Sequence, residues 1–372
     1  MSRSLALAAL ALLALPACDS DPVEDDGGVI TERAAYVGNA GNFAENNGSI
    51  TRYALASGAV STPLPADSLG GLVQNLAVEG TDLFVLLNFS DSFDTGRGRV
   101  DVFGLGLGAR RRQDDVSVPR GFGVAERAPV SNGTTVATAY WTTNLYAGTA
   151  TRLSDDGAEL TVAVGASPEG LAVVDDRVYV ANSGFGFGRS LSVIDRTTGA
   201  DRGTVEDVCA GPRTLLADGD GEVWVVCTGT ADFETGAVTA PGEVVVLDGA
   251  TGDETARFTF DGQTIGSASL GQDAAFSAAA SELYVIADGG VVRFDTAADA
   301  QRATIPVSAA VGAVAYDAQT ERLYVGRLDA ASPFGADGVV TLHDRAGAEV
   351  GRFDAGIAPV AIVFGDALRV PS

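Results

Sequence analysis

Residues 177–199 read RVYVANSGFGFGRSLSVIDRTTG. Two short Val/Tyr/Ile-rich runs, RVYVAN and SLSVIDR, flank a glycine-rich bend, so the stretch reads as two strands of a hairpin. A plain hairpin needs only two to five linking residues. Here SGFGFGR links the strands and carries Phe185 and Phe187, where a polar turn would suffice.

The same unit recurs along the chain. An aromatic sits in an apolar strand, a loop follows, and a second strand ends near a turn. AAYVGN holds Tyr36, DLFVLLN holds Phe84, and VATAYWTTN holds Tyr140 in the least regular copy. RVYVAN holds Tyr179, EVWVVC holds Trp224, ELYVIA holds Tyr284 and RLYVGR holds Tyr324. That makes seven units with a mean spacing of 48 residues between Tyr36 and Tyr324. A further apolar stretch precedes most of them, as in SPEGLAVVDD (167–176), GPRTLLADGD (211–220) and AVGAVAYDAQ (310–319). A less regular fourth strand follows, such as GTVEDV (203–208) or ARFTF (256–260).

Four strands in every 40–60 residues is the signature of a β-propeller blade. A single blade cannot bury both faces, whereas blades in a ring can. The sequence therefore predicts an all-β, seven-bladed β-propeller, with six or eight blades if the third unit is misread. The first unit lacks its own inner strand, and IAPVAIVFGDALRV (357–370) has no aromatic partner after it. The expected closure seats this last strand in the blade of Tyr36, giving circular closure that removes two free edges.

The ends divide the chain further. Arg3 followed by an Ala/Leu run from Leu5 to Leu15 is too short for a stable membrane span and reads as a signal peptide over 1–17. It ends in Leu15-Pro16-Ala17-Cys18, which resembles a bacterial lipobox, so Cys18 is the expected lipidation site and first mature residue. DSDPVEDDGG (19–28) has no apolar periodicity. Residues 18–32 are read as the lipidated Cys with an acidic tether, and 33–372 as the propeller. The expected location is the bacterial outer membrane, held by the lipid, on its surface or its periplasmic side. An acidic stretch after the lipidated Cys looks like a surface-export signal and equally like a spacer.

Composition excludes some functions. The 372 residues carry 49 Asp and Glu against 24 basic residues, all of them Arg, for a formal charge of −25. Nucleic acid is an unsuitable partner for such a surface. A hydrophobic share of 46% argues against general disorder. In an exported protein, Cys209 and Cys227 are candidates for a disulfide, since pairing PRTLLA (212–217) with EVWVVC (222–227) brings them close. Two buried free thiols are the alternative.

The recurring YVGN and YVAN strand ends and Pro-x-x-Leu/Ile strand starts resemble the YVTN- or YncE-type seven-bladed propellers, over residues 33–368. The stretch YVGNAGNFAENNGSITRYALASG (36–58), with the lipobox, is similar to the opening blade of exported lipoproteins that capture vitamin B12 at the cell surface. This resemblance implies a corrinoid or similar nutrient as bound ligand and a TonB-dependent outer-membrane transporter as partner.

Catalytic groups are sparse. His343, the one histidine, lies in the repeat strand VVTLHDR, and neither HExxH nor CxxC occurs, so no catalytic residue, required cofactor or transition-metal site is assigned. ADGDGE (217–222) and SDSFDTG (90–96) carry alternating carboxylates that leave calcium open, although the full twelve-residue loop spacing is missing and tight turns are the preferred reading.

The loops between second and third strands are unusual. GNAGNFAENNG (38–48), NFSDSFDTGRG (88–98), WTTNLYAG (141–148), NSGFGFGR (182–189), TGTADFETGAVTAPG (228–242) and RLDAASPFGADG (327–338) are expected on one face of the ring. They supply the candidate ligand-binding residues. The aromatic ones are Phe43, Phe89, Phe93, Trp141, Tyr146, Phe185, Phe187, Phe233 and Phe334; the polar ones are Asn39, Asn42, Asn88, Asn144, Asn182 and Arg189. Rings among hydrogen-bonding groups suit a broad ligand, partly apolar and polar at its edge. The competing structural reading packs each Phe under its own loop. Three functions fit: a non-enzymatic ligand-binding lipoprotein, a propeller enzyme such as a lactonase or quinoprotein-like dehydrogenase, and an adhesion or scaffold propeller that grips protein or glycan.

Overall fold

The computed structural model describes residues 30–129, 135–154, 156–269, 271–287, 289–307 and 310–369. These form seven four-stranded antiparallel sheets and one two-stranded ribbon. The sheets are the blades of a seven-bladed propeller. Blade 1 combines 359–369 with 30–64; blades 2 to 7 cover 72–116, 119–163, 168–205, 212–260, 274–306 and 311–357. The expected signal peptide, Cys18 and all of the expected tether before residue 30 lie outside the described residues. The sheet takes up the chain at Ile30, three residues before the expected domain boundary. No described helix is long and apolar enough to cross a membrane.

Blade 4 shows why the sequence folds this way. Its strands run Pro168–Val174, Arg177–Asn182, Ser190–Asp195 and Asp201–Val205, in order from the axis outward. The second strand is buried from Val178 to Asn182, while the fourth, DRGTV, is almost wholly exposed. Middle strands lie between two neighbouring blades, so they read as continuous apolar runs rather than as a strict alternation. The outer strand faces water, and its pattern is lost.

The turn between third and fourth strands follows from one aspartate. The Asp195 carboxylate accepts the backbone N–H groups of Thr197 and Thr198 at 3.0 and 2.8 Å, and Gly199 closes the turn at φ 67°. Asp248, Thr251 and Gly252 repeat the device in blade 5. Glycine is suited to this left-handed position because it has no Cβ to clash.

Closure occurs as the termini predict. Pro359–Arg369 pairs antiparallel with Ile30–Asn39, from Ile30 opposite Arg369 to Asn39 opposite Pro359. Arg33 in this blade bonds the fully buried Asp317 of blade 7 at 2.7 Å, which ties the last seam. Cys209 and Cys227 form a disulfide with Cα atoms 6.1 Å apart.

In blades 1, 3 and 4 a repeat aromatic staples its blade to the next. The Tyr36 hydroxyl donates to the Leu105 carbonyl of blade 2 at 2.7 Å, and Tyr179 to the Gly249 carbonyl of blade 5 at 3.0 Å. In blade 3 this role belongs to Trp141. Its indole N–H donates to the Arg196 carbonyl of blade 4 at 2.8 Å. Trp141 precedes Asn144 by three residues, as Tyr36 precedes Asn39 and Tyr179 precedes Asn182. The third unit is therefore in register through Trp141. Tyr140 points to the other side of its strand and packs with Phe84 of blade 2.

Candidate functional site

The strand ends correct part of the expected ligand set. Asn39, Asn144 and Asn182 are buried, and each uses its side-chain amide to clasp the start of the next strand. Asn39 donates to Ser49 and Thr51, Asn144 to Thr149 and Thr151, and Asn182 to Ser190 while accepting from Ser192. Asn88 holds the same position in blade 2 and is also buried. Trp141 is fully buried because its strand continues to Asn144, leaving only 145–148 as loop. These five residues belong to the scaffold.

Three more candidates are used locally. Asn42 accepts the N–H of Ala44 in its own loop, and its backbone N–H is held by Asn47. Phe89 is half-buried beneath the guanidinium groups of Arg97 and Arg99, 5.0 and 5.5 Å from its ring centre. Arg189 is exposed and lies 3.5 Å from Asp207.

The remaining aromatics converge. Phe93 of blade 2 meets Tyr146 of blade 3 with ring centres 5.8 Å apart, and Tyr146 meets Phe185 of blade 4 at 5.9 Å. Phe187, from the same loop as Phe185, meets Phe233 of blade 5 at 5.9 Å. These rings form an arc across four blades, yet they stay in water: Phe93 is 77% exposed, Phe185 58%, Phe187 62% and Phe233 89%. Rings packed as local plugs would be covered, so the burial pattern does not support that reading for them. Phe43 and Phe334 lie apart from the arc, around a small pocket of about 80 Å³ that Gln74 of blade 2 and Ser269 also line.

The blade 4 loop is built to present its two rings. Gly184, Phe185 and Gly186 all have positive φ, at 54°, 57° and 92°. The Ser183 hydroxyl accepts the N–H of Gly186 at 3.1 Å and fixes the bend. A phenylalanine in the left-handed region is strained, and such strain clusters where a side chain must be aimed. In blade 5 the loop forms its own ribbon, Thr230–Ala231 against Val238–Ala240, with Phe233 at its tip.

Tyr146, Phe185, Phe187 and Phe233 wall a cleft of about 560 Å³. The size lies within the range of roughly 300–1,000 Å³ typical of small-molecule sites. Thr228, Thr230 and Asp232 add polar groups at its side, and Arg120, Glu169 and Arg213 form its floor. These three also line the mouth of the central channel, a space of about 200 Å³, with Gln74 and Gln272. Burial pushes the Glu169 carboxyl upward, while Arg120 and Arg213 pull it back. Arg213 is engaged elsewhere, with its Nε 2.6 Å from Asp273.

The floor is the part of the site missing from the sequence-based set. A signal for it exists: Arg120, Glu169 and Arg213 each follow a proline at the start of an inner strand, in VPRG, SPEG and GPRT. The prolines were legible as strand starts, but the side chain after each one is what meets the channel.

Elsewhere the chemistry is structural. His343 is buried with Nε2 2.9 Å from the Thr341 hydroxyl and Nδ1 3.1 Å from the Gly347 carbonyl. In 217–222, Asp218 accepts the N–H groups of Asp220 and Glu222 and the indole N–H of Trp224, so it caps a hairpin. In 90–96, Ser92 opens one helical turn, Ser92–Thr95, and its hydroxyl donates to the Arg97 carbonyl at 2.6 Å. Among the described residues no three His, Cys, Asp or Glu side chains gather as a metal site.

The fold defines a seven-bladed propeller with an aromatic cleft over its channel. No protein-family model and no curated protein matches the sequence. The structure is similar to a protein from Lactobacillus plantarum, with a TM-score of 0.59 and 14% identity over 90% of this chain and 99% of that one. It is also similar to Kuenenia stuttgartiensis hydrazine synthase, with a TM-score of 0.57 and 16% identity over 78% and 88% of the two chains. The Neurospora crassa Pan2 WD40 domain gives 0.53 and 11% over 78% and 82%. At these identities the likeness establishes the fold alone.

Proposed function

We propose that this protein is a non-enzymatic ligand-binding lipoprotein that captures a broad, partly apolar nutrient in the cleft between blades 3, 4 and 5. The observation that carries the reading is the set of solvent-exposed rings, Tyr146, Phe185, Phe187 and Phe233, walling one cleft over a charged floor. Exposed aromatic patches on a rigid scaffold are binding surfaces more often than accidents. The sequence resemblance to vitamin B12-capturing lipoproteins makes a corrinoid the first ligand to test, with delivery to a TonB-dependent transporter and anchoring through Cys18 as parts of the same proposal. The cleft is open above, so a corrinoid larger than the cleft can seat one edge inside it.

The test is a thermal-shift titration of the lipid-free domain with cyanocobalamin. A ligand that binds only the native state raises the melting temperature in proportion to the logarithm of its concentration. The triple variant Phe185→Ala, Phe187→Ala, Phe233→Ala should lose that shift while melting at an unchanged temperature. A full shift retained by the triple variant overturns the site; no shift in the native protein overturns the corrinoid.

A further inference from the structure

Two walls of the cleft are joined beneath by one short connector. Residues 206–211 run from the outer strand of blade 4, Asp201–Val205, to the inner strand of blade 5, Pro212–Ala217. Four backbone bonds tie this connector to both loops. On one side the N–H groups of Val208 and Gly211 donate to the carbonyls of Arg189 and Gly188, at 2.8 and 2.9 Å, directly after Phe187. On the other side the N–H groups of Thr228 and Gly229 donate to the carbonyls of Gly211 and Ala210, at 2.9 and 3.0 Å, at the root of the loop that carries Phe233. Gly211 touches both loops at once. A Cβ added there would lie 2.9 Å from the Gly186 carbonyl oxygen and 2.8 Å from the Thr228 hydroxyl.

The connector is held in a conformation it would not choose alone. Asp207 and Gly211 both take left-handed φ, at 53° and 63°. At a non-glycine residue such a conformation persists only where the surroundings impose it. The exposed pair of Asp207 with Arg189, at 3.5 Å, adds little at the surface. The covalent hold is the disulfide. It joins Cys209, in the middle of the connector, to Cys227, the last residue of the second strand of blade 5, and both are fully buried. The blade 5 loop starts at the next residue, Thr228. The far side of that root is held by Ile265, whose N–H donates to the Thr228 carbonyl at 3.0 Å, so the bridge governs the side toward blade 4.

We propose that Cys209 and Cys227 are a positioning pair for the cleft: their bridge sets the gap between the blade 4 wall, Phe185 and Phe187, and the blade 5 wall, Phe233. With the bridge in place, the connector stays seated on the strand that launches the blade 5 loop. Without it, the four backbone bonds alone hold the two walls in register, and surface loops held in this way open at low free-energy cost. A wall already in place binds more tightly, because the ligand does not have to order it. The bridge thus makes the cleft competent in the oxidising compartments where disulfides persist. This inference rests on the ligand-binding reading of the cleft and names the element that holds its geometry.

The test compares the native protein with the double variant Cys209→Ala, Cys227→Ala by hydrogen exchange and mass spectrometry. Segments 208–211 and 228–232 should exchange at least about ten-fold faster in the variant, through local opening. The blade 2 loop 89–97, where the Asp94, Thr95 and Gly96 amides are also bonded, lies away from the connector and should stay within about two-fold. Equal acceleration of all these segments, or none at 208–211, overturns the proposal. If the double alanine variant does not fold, Cys209→Ala with Cys227→Val refills part of the buried volume and takes its place. In a second arm, cyanocobalamin is titrated into both proteins at a temperature where circular dichroism shows each to be folded. The variant should bind at least about ten-fold more weakly. Equal affinity overturns the positioning role even where exchange is faster. Absence of binding by the native protein overturns the corrinoid instead, and the exchange arm then decides this inference by itself.

Discussion

Arg213 and Asp273 join blades 5 and 6 beside the channel, with Arg213 Nε 2.6 Å from Asp273 Oδ2 and Nη2 bonded to Oδ1. Asp273 is fully buried, so removing its partner leaves an uncompensated charge in the core. Breaking a buried pair in this way costs about 3–5 kcal/mol. Arg213→Met should therefore lower stability by about that amount in urea denaturation. Replacing both residues, Arg213→Met with Asp273→Leu, should restore a good part of the loss, because no isolated charge remains. Equal loss in the single and double variants would show that the charge is not what matters.

Aromatic residues of this chain should divide into two classes under alanine substitution. Trp141 is buried between blades 3 and 4 and bonds the Arg196 carbonyl. Trp141→Ala should cost about 3–5 kcal/mol, the usual price of emptying a large core site. Phe185, Phe187 and Phe233 lie on the surface, where substitutions are usually within about 0.5 kcal/mol. Their alanine variants should keep the native denaturation midpoint and lose ligand binding. Substantial destabilisation by Phe187→Ala would mark that ring as a local plug.

This division explains what could be read from the sequence. Blade count and ring closure were legible because middle strands bury both faces, so Tyr179 and Val180 repeat a pattern that Tyr36 and Val37 began. Residue roles at the strand ends were not. Asn182 and Phe185 stand three residues apart in one polar loop motif, yet one is buried under Ser190 and Ser192 and the other faces water. Only the end point of the strand separates them, and the hydroxyls that fix it lie on the following strand. Arg120 and Glu169 stayed hidden for a different reason. They are spaced by a whole blade, and the ring geometry, not local pattern, puts them together.

The disulfide predicts a measurable redox effect. Cys209 and Cys227 are separated by 18 positions and buried, next to the cleft residues Thr228 and Gly229. Closing a loop of this size removes about 3 kcal/mol of chain entropy from the unfolded state. Cys209→Ala with Cys227→Ala should lower stability by about 2–4 kcal/mol in chemical denaturation. The variant's melting temperature should also be insensitive to reductant, whereas the native protein's should fall when the bridge is reduced. A variant as stable as the native protein would show that the loop is already restrained by its strands.

Acidity should act on the opposite face through Glu222. This residue opens the second strand of blade 5, beside Asp218 and the blade 6 turn residue Asp299. Burial and the neighbouring Asp299 and Asp218 carboxyls push its carboxyl up to about 7 from an ordinary 4.5. The folded chain therefore binds this proton more tightly than the unfolded chain does. Its contribution to stability is fully present below about pH 4.5 and is lost as pH rises through about 7. Glu222→Gln removes the titrating group while keeping the side chain's size. The variant should melt higher than the native protein at pH 8, and its melting temperature should fall less between pH 5 and pH 8. Parallel melting curves for the two proteins across that range would show that Glu222 titrates as an ordinary surface carboxyl.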